Sequence, residues 1–135
     1  MSTTQLPRHI VNQILTHAQH SPSDEVCGLI SMRDGQLAHS YPVKNIARQP
    51  DRLFFMDPKA QIETMRTIRE QGESLFAIYH SHLNAPAMPS KRDLDEASYP
   101  DALYLIISLD TKGVLEMRGF HLRDDVIEAV ELEVI

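Results

Sequence analysis

Apolar residues recur along this chain in two rhythms, and the rhythm changes wherever proline, glycine or aspartate interrupts it. Ile10, Val11, Ile14, Leu15 and Ala18 fall at helical spacing, so residues 7–20 are predicted to form an amphipathic helix with Pro7 where a first turn tolerates a missing N–H. Ser21-Pro22-Ser23-Asp24 breaks that helix. Glu25–Met32 reads as a strand, Asp34-Gly35 as a hairpin turn, and Leu37 to about Lys44 as the return strand. Residues 45–55 are irregular around Pro50-Asp51. Asp57-Pro58 opens a second helix with an aspartate cap. Ile62, Met65 and Ile68 mark one of its faces, and Gly72 closes it.

The second half is mostly strand. Leu75–Tyr79 is short and apolar and runs directly into His80-Ser81-His82. Leu83–Pro89 is a loop and Ser90–Ser98 a short helix. Leu103–Leu109 reads as a buried strand, Asp110–Gly113 as a turn and Val114–Leu122 as another strand. Asp124-Asp125, read as a solvated turn, precedes a last alternating strand, Val126–Ile135. The order α-β-β-α-β-α-β-β-β predicts an α/β fold, a mixed sheet with helices packed on it. With 135 residues and no repeat or linker, one domain over 1–135 is expected.

Composition narrows the function classes. The longest apolar runs, such as Leu103–Ser108, are far too short to span a bilayer. The net charge is −6 and no Lys/Arg cluster stands out, which argues against nucleic acid. Cys27 is the single cysteine, so no intrachain disulfide can form. The N-terminus also lacks a secretory signal pattern, and a reducing cytoplasm is the simplest home.

Candidate chemistry sits in the segment from His80 to Asp93. Two histidines two apart on an extended backbone point to the same side. The loop and helical turn that follow are long enough to return the Asp93 carboxylate to the same point. Two His and one carboxylate make a three-ligand zinc site with a fourth position open to water, which is the catalytic rather than the structural pattern. Such an ion polarises a carbonyl and lowers the pKa of water to roughly 7. A nearby carboxylate must still carry the proton to a leaving amine. Ser90 starts the short helix, where its hydroxyl can meet a developing oxyanion. Those parts together describe amide hydrolysis.

Plainer readings stand beside these. Ser90-x-x-Asp93 is also a helix capping box. Glu25 alone would be a solvated strand start. Cys27 is expected to be a buried structural thiol on the same face as Glu25. His9, His17, His20, His39 and His121 are read as non-ligands.

The motif resembles that of the JAMM (MPN-plus) metalloproteases: an upstream Glu, H-S/T-H, seven residues, Ser, two residues, Asp. Here it is His80-Ser81-His82, then Leu83–Pro89, Ser90, Lys91-Arg92 and Asp93. Upstream, Glu25-Val26-Cys27-Gly28-Leu29 looks like the family's opening string. The resemblance implies a curved, cytidine-deaminase-like MPN sheet and one Zn2+ per chain on His80, His82 and Asp93. It also implies Glu25 as acid/base and Ser90 as oxyanion stabiliser. The substrate it implies is a peptide or isopeptide bond at the Gly-Gly tail of a ubiquitin-like or sulfur-carrier (ThiS/MoaD-type) protein. Two alternatives stand beside it. A non-catalytic MPN interaction module would be expected to lack the ligand set, which is complete here. A zinc hydrolase of a small amide stays open, as does homo-oligomerisation. The chain departs from the family at Leu83, where many members have proline, and at Asn84-Ala85, which bears on loop shape and substrate fit rather than on the ligand set.

Overall fold

The computed structural model describes residues 3–110 and 115–135. Its elements are β1 (Thr3–Leu6), α1 (Arg8–Gln19), β2 (Cys27–Arg33), β3 (Gln36–Val43), α2 (Pro58–Glu70), β4 (Ser74–His82), α3 (Lys91–Glu96), β5 (Leu103–Ser108), β6 (Glu116–Arg123) and β7 (Val126–Val134). The strands form one sheet in the order β1-β7-β6-β5-β4-β2-β3. Pairs β1–β7 and β4–β5 are parallel and the other pairs antiparallel. The mixed sheet with packed helices is therefore as the sequence predicts.

The sheet carries a core on each face. Ala77 and Tyr79 of β4 join Ile10, Val11, Ile14 and Ala18 of α1. The alternate residue Ile78 joins Cys27, Leu29, Ile106 and Ile68 of α2 on the opposite face. All six residues of β5 are buried, as expected for a central strand covered on both sides. Burying each large aliphatic side chain contributes roughly 1.5–3 kcal/mol before the entropy of ordering it is counted. Among the described residues, no helix is long and apolar enough to cross a membrane.

Local chemistry explains the boundaries. The Asp57 side chain accepts from the Lys59 N–H and Pro58 fills the first turn of α2. Gly72, at φ +73°, ends that helix in a Schellman motif: its N–H donates to Arg69 O and that of Glu73 to Ile68 O. Asp34 and Gly35 both have positive φ, the two-residue turn that suits the twist of a hairpin, and Asp124-Asp125 repeats it between β6 and β7. The buried Glu73 carboxylate is held by Ser31 Oγ at 2.6 Å, Arg33 at 2.8 Å and His39 Nδ1 at 2.9 Å.

Two boundaries differ from the sequence reading. β1 was not expected: Thr3, Thr4 and Gln5 carry no apolar alternation, and only Leu6 is buried. Backbone pairing with β7 forms that strand. β2 begins at Cys27, two residues later than predicted, because the backbone of Glu25 and Val26 bonds outside the ladder. The predicted Asp110–Gly113 turn and the start of the Val114 strand fall largely on residues outside those described.

Gly28 is required by packing. It pairs with Tyr79 across β2 and β4, and a Cβ there would lie 2.4 Å from the Tyr79 ring and 2.5 Å from the Tyr41 carbonyl oxygen. The Tyr79 ring is fully buried, with its hydroxyl 2.7 Å from His17 Nδ1. Gly28→Ala is expected to destabilise the fold by about 1–3 kcal/mol, as overpacking does. Thermal melts measure the loss, and adding Tyr79→Ala should cost less than the sum of the two single changes.

Candidate metal centre

β4 ends in the site. Its pleat puts His80 and His82 on the face of Ile78, and Ser81 turns the other way. His80 lies opposite Cys27 on one neighbour and Ile106 on the other, so the strand is held from both sides. The chain then loops through Pro86 and enters α3, whose third residue is Asp93.

These three side chains meet. His80 Nε2 and His82 Nε2 are 3.1 Å apart, and Asp93 Oδ2 lies 3.3 Å from the first and 3.2 Å from the second. His82 Nδ1 donates to the Pro86 carbonyl at 2.9 Å, which leaves its Nε2 lone pair facing inward. The loop carrying Pro86 is fixed in turn by Ser108 Oγ, which donates to Ala85 O at 2.7 Å. Phe54 stacks on the His80 ring, centroids 4.3 Å apart. His80 Nδ1 is buried without a hydrogen-bond partner.

Such a cluster of acceptor atoms repels itself unless a proton or a cation lies among them. Ligands about 2.0–2.1 Å from a tetrahedral zinc are separated by about 3.3 Å, which the observed triangle nearly reproduces. The donor set therefore fits a borderline divalent metal. Among the described residues it is the one group of His, Cys, Asp and Glu that does. His9, His17, His20, His39 and His121 stand outside it.

The predicted capping box is also real. Ser90 Oγ accepts from the Asp93 N–H at 3.0 Å, and Asp93 Oδ2 accepts from the Ser90 N–H at 2.9 Å. The same bonds that start α3 aim the Asp93 carboxylate at the imidazoles. Ser90 Oγ keeps its own proton to donate.

Glu25 lines the same cavity as His80 and Asp93. Four bonds bring it there. Ser81 N–H donates to Val26 O at 3.0 Å and Ser81 Oγ accepts from Val26 N–H at 2.9 Å. Glu25 N–H donates to Pro50 O at 2.7 Å, and Asn45 Nδ2 donates to Glu25 O at 2.9 Å. Asn45 also binds Leu53 O and accepts from Ala47 and Phe55, so it shapes the loop that carries Phe54. Asn45, Ser81, Pro86 and Ser108 have no site role in the sequence reading. The polar Ser81 between two histidines was the available signal for one of them. The others leave no pattern.

Electrostatics follow from burial. Burial raises the Glu25 carboxyl to about 7, with Asp93 and Asp51 adding to the rise and His82 opposing it. Burial also pushes the Asp93 carboxyl up, but the two imidazoles and the Ser90 N–H outweigh it and hold the group well below the usual carboxylate range. His80 is lowered, chiefly by burial. His82 is also penalised by burial, yet the Asp93 carboxylate and Pro86 carbonyl raise it on balance. Cys27 is pushed up to about 12 by burial and by Glu25, so it stays a thiol, which bears out its structural reading.

A mixed sheet that ends a central strand in convergent metal donors, with a protonatable carboxyl beside them, defines a metallohydrolase. The sequence profile described as prokaryotic homologs of the JAB domain matches residues 7–120, and the chain belongs to that family, as the motif implied. It is 28% identical over 128 residues to the CysO-cysteine peptidase of Mycobacterium tuberculosis, covering 93% of this chain and 87% of that protein. It is 34% identical over 107 residues to the desampylase of Haloferax volcanii, covering 73% and 76%. The structure of a protein from Desulfitobacterium hafniense superposes with a TM-score of 0.85 at 30% identity, covering 97% of this chain and 92% of that one. A JAB1/MPN domain protein from Archaeoglobus fulgidus shares the fold at a TM-score of 0.61 and 19% identity, covering 100% and 96%.

The Glu25 shift predicts a pH effect on the metal-free protein. Its pKa is raised from 4.5 to about 7 on folding, so the folded chain holds this proton more tightly than the unfolded one. The Glu25 contribution to stability is complete below 4.5 and is lost as pH rises through 7. Glu25→Gln has no charge to bury, so with chelator present its stability relative to wild type should grow across that window and level off above it. Denaturant titrations at several pH values measure the difference.

Proposed function

We propose that this chain is a zinc-dependent peptidase that hydrolyses the amide bond at the C-terminal Gly-Gly of a ubiquitin-like or sulfur-carrier protein. The observation that carries the reading is the triangle of His80 Nε2, His82 Nε2 and Asp93 Oδ2, with Glu25 in the same cavity. His80, His82 and Asp93 would hold one zinc ion. Zinc bound there supplies a Lewis acid that polarises the carbonyl and makes water acidic enough to react near pH 7.

The remaining steps belong to the chain. The Glu25 carboxylate takes a proton from the attacking water and hands it to the amine as the C–N bond breaks. A carboxyl near neutral pKa can do both. The Ser90 hydroxyl donates to the carbonyl oxygen as charge builds there. The products are a carrier ending in a glycine carboxylate and a free amine. A diglycine tail suits the site because it has no side chains and can lie extended in a narrow channel.

The relatives named above favour a carrier over a small amide, since their names describe action on CysO–cysteine and removal of a conjugated modifier. A pure interaction module is disfavoured by the complete donor set. The unpaired buried thiol of Cys27 fits a reducing cytoplasm.

Purified protein should contain about one zinc per chain by elemental analysis, and His80→Ala or Asp93→Ala should empty the site. Glu25→Ala should retain zinc and lose activity by about 10²- to 10⁴-fold. Mass spectrometry of a ThiS/MoaD-type carrier extended beyond Gly-Gly, with and without chelator, reads the cleavage. Chelator-resistant cleavage, or a wild-type rate in Glu25→Ala, overturns the proposal.

A further inference from the structure

We infer that Arg52 and Arg92 form a carboxylate-reading rim on the metal centre, which selects as leaving group an amino acid with a free α-carboxylate over one attached through a lysine side chain. This rests on the proposed function and narrows its substrate class.

Both arginines line the cavity that also holds Glu25, His80 and Asp93. That cavity measures about 40 Å³, room for a few atoms rather than a folded surface. Among the described residues Arg52 makes no ion pair. Arg92 has only Glu96, at 3.2 Å, and both side chains are about half exposed, so that pair is weak and exchangeable. Arg92 also lies in the first turn of α3, where a cation opposes the helix dipole, so stability does not explain it. Two guanidinium groups gathered at the reaction centre run against a chain of net charge −6.

Beyond the weak Arg92–Glu96 pair, no carboxylate of the cavity forms an ion pair with either guanidinium. Asp93 is committed to the imidazoles and the Ser90 N–H. A guanidinium fork pairs best with a planar carboxylate in two parallel hydrogen bonds. Substrate geometry supplies one. In a linear adduct the carboxylate carbon of the leaving residue is two bonds from the scissile nitrogen, so its receptor must line the cavity of the metal. In a lysine-linked conjugate the corresponding carbonyl is several bonds further off and tied up in an amide.

The test uses the zinc-loaded full chain and three substrates: a carrier ending Gly-Gly plus one amino acid with a free carboxylate, the same adduct as its carboxamide, and a lysine-linked conjugate. Wild type should prefer the free acid over the other two by roughly ten- to a hundredfold in kcat/KM, the range of a charge-assisted hydrogen bond. In Arg52→Gln and Arg92→Gln the acid-to-amide ratio should fall toward one, and Arg52→Lys should restore part of it. A variant that merely folds poorly lowers both rates and leaves their ratio intact, which overturns the assignment for that arginine. Equal cleavage of acid and amide by wild type overturns the inference alone. Cleavage of none of the three overturns the proposed function and the inference with it.

Discussion

The pleat of β4 is the constraint on which the rest depends. Along that strand Ala77, Tyr79 and Ser81 face one side, and Ile78, His80 and His82 face the other. A slip of one residue would drive both imidazoles into the α1 core and turn Tyr79 toward the site. Nothing about the histidines themselves prevents this. Their neighbours do: Tyr79 fits only over Gly28, and Ser81 is clamped to both sides of the Val26 backbone. The residues between the histidines and before them therefore set the register that places the histidines.

That fixed register lets the site tolerate unfavourable electrostatics. Three acceptor atoms are crowded to little more than 3 Å, beside a carboxyl that burial has made reluctant to ionise. Both cost stability in the metal-free chain once no proton is left to share among these atoms. Together they are what a cation-binding hydrolytic centre requires. The cores on both faces of the sheet offset the cost. So does economy at α3, where the bonds that cap the helix are those that orient Asp93. Capping of α3 and the direction of the Asp93 carboxylate are thus one arrangement.

The loop of residues 45–55 ties the two halves of the site together. Asn45 uses all of its hydrogen-bonding capacity within it, joining Glu25 to the stretch that carries Arg52 and Phe54. Asn45 thereby ties the Glu25 backbone to the loop that carries Arg52 and the ring stacked on His80. The departures at Leu83, Asn84 and Ala85 lie in the other loop. There Leu83 is buried and Ala85 serves through its backbone carbonyl alone, so neither disturbs the ligands.

The sequence by itself determined the element order from α1 onward, the α/β class, the donor residues and the side of the strand on which the histidines stand. These are local properties: periodicity, caps and turn residues act within a few positions, and side-chain direction in a strand alternates whatever the strand packs against. It missed β1, which rests on backbone pairing with a strand more than a hundred residues away and needs no apolar alternation. Only the tertiary structure decided that the three donors close to 3.1–3.3 Å, that Glu25 lines the same cavity, and that Asn45, Pro86 and Ser108 hold the frame. Those outcomes come from single hydrogen bonds between distant residues, and such bonds leave no periodic trace in the chain that makes them.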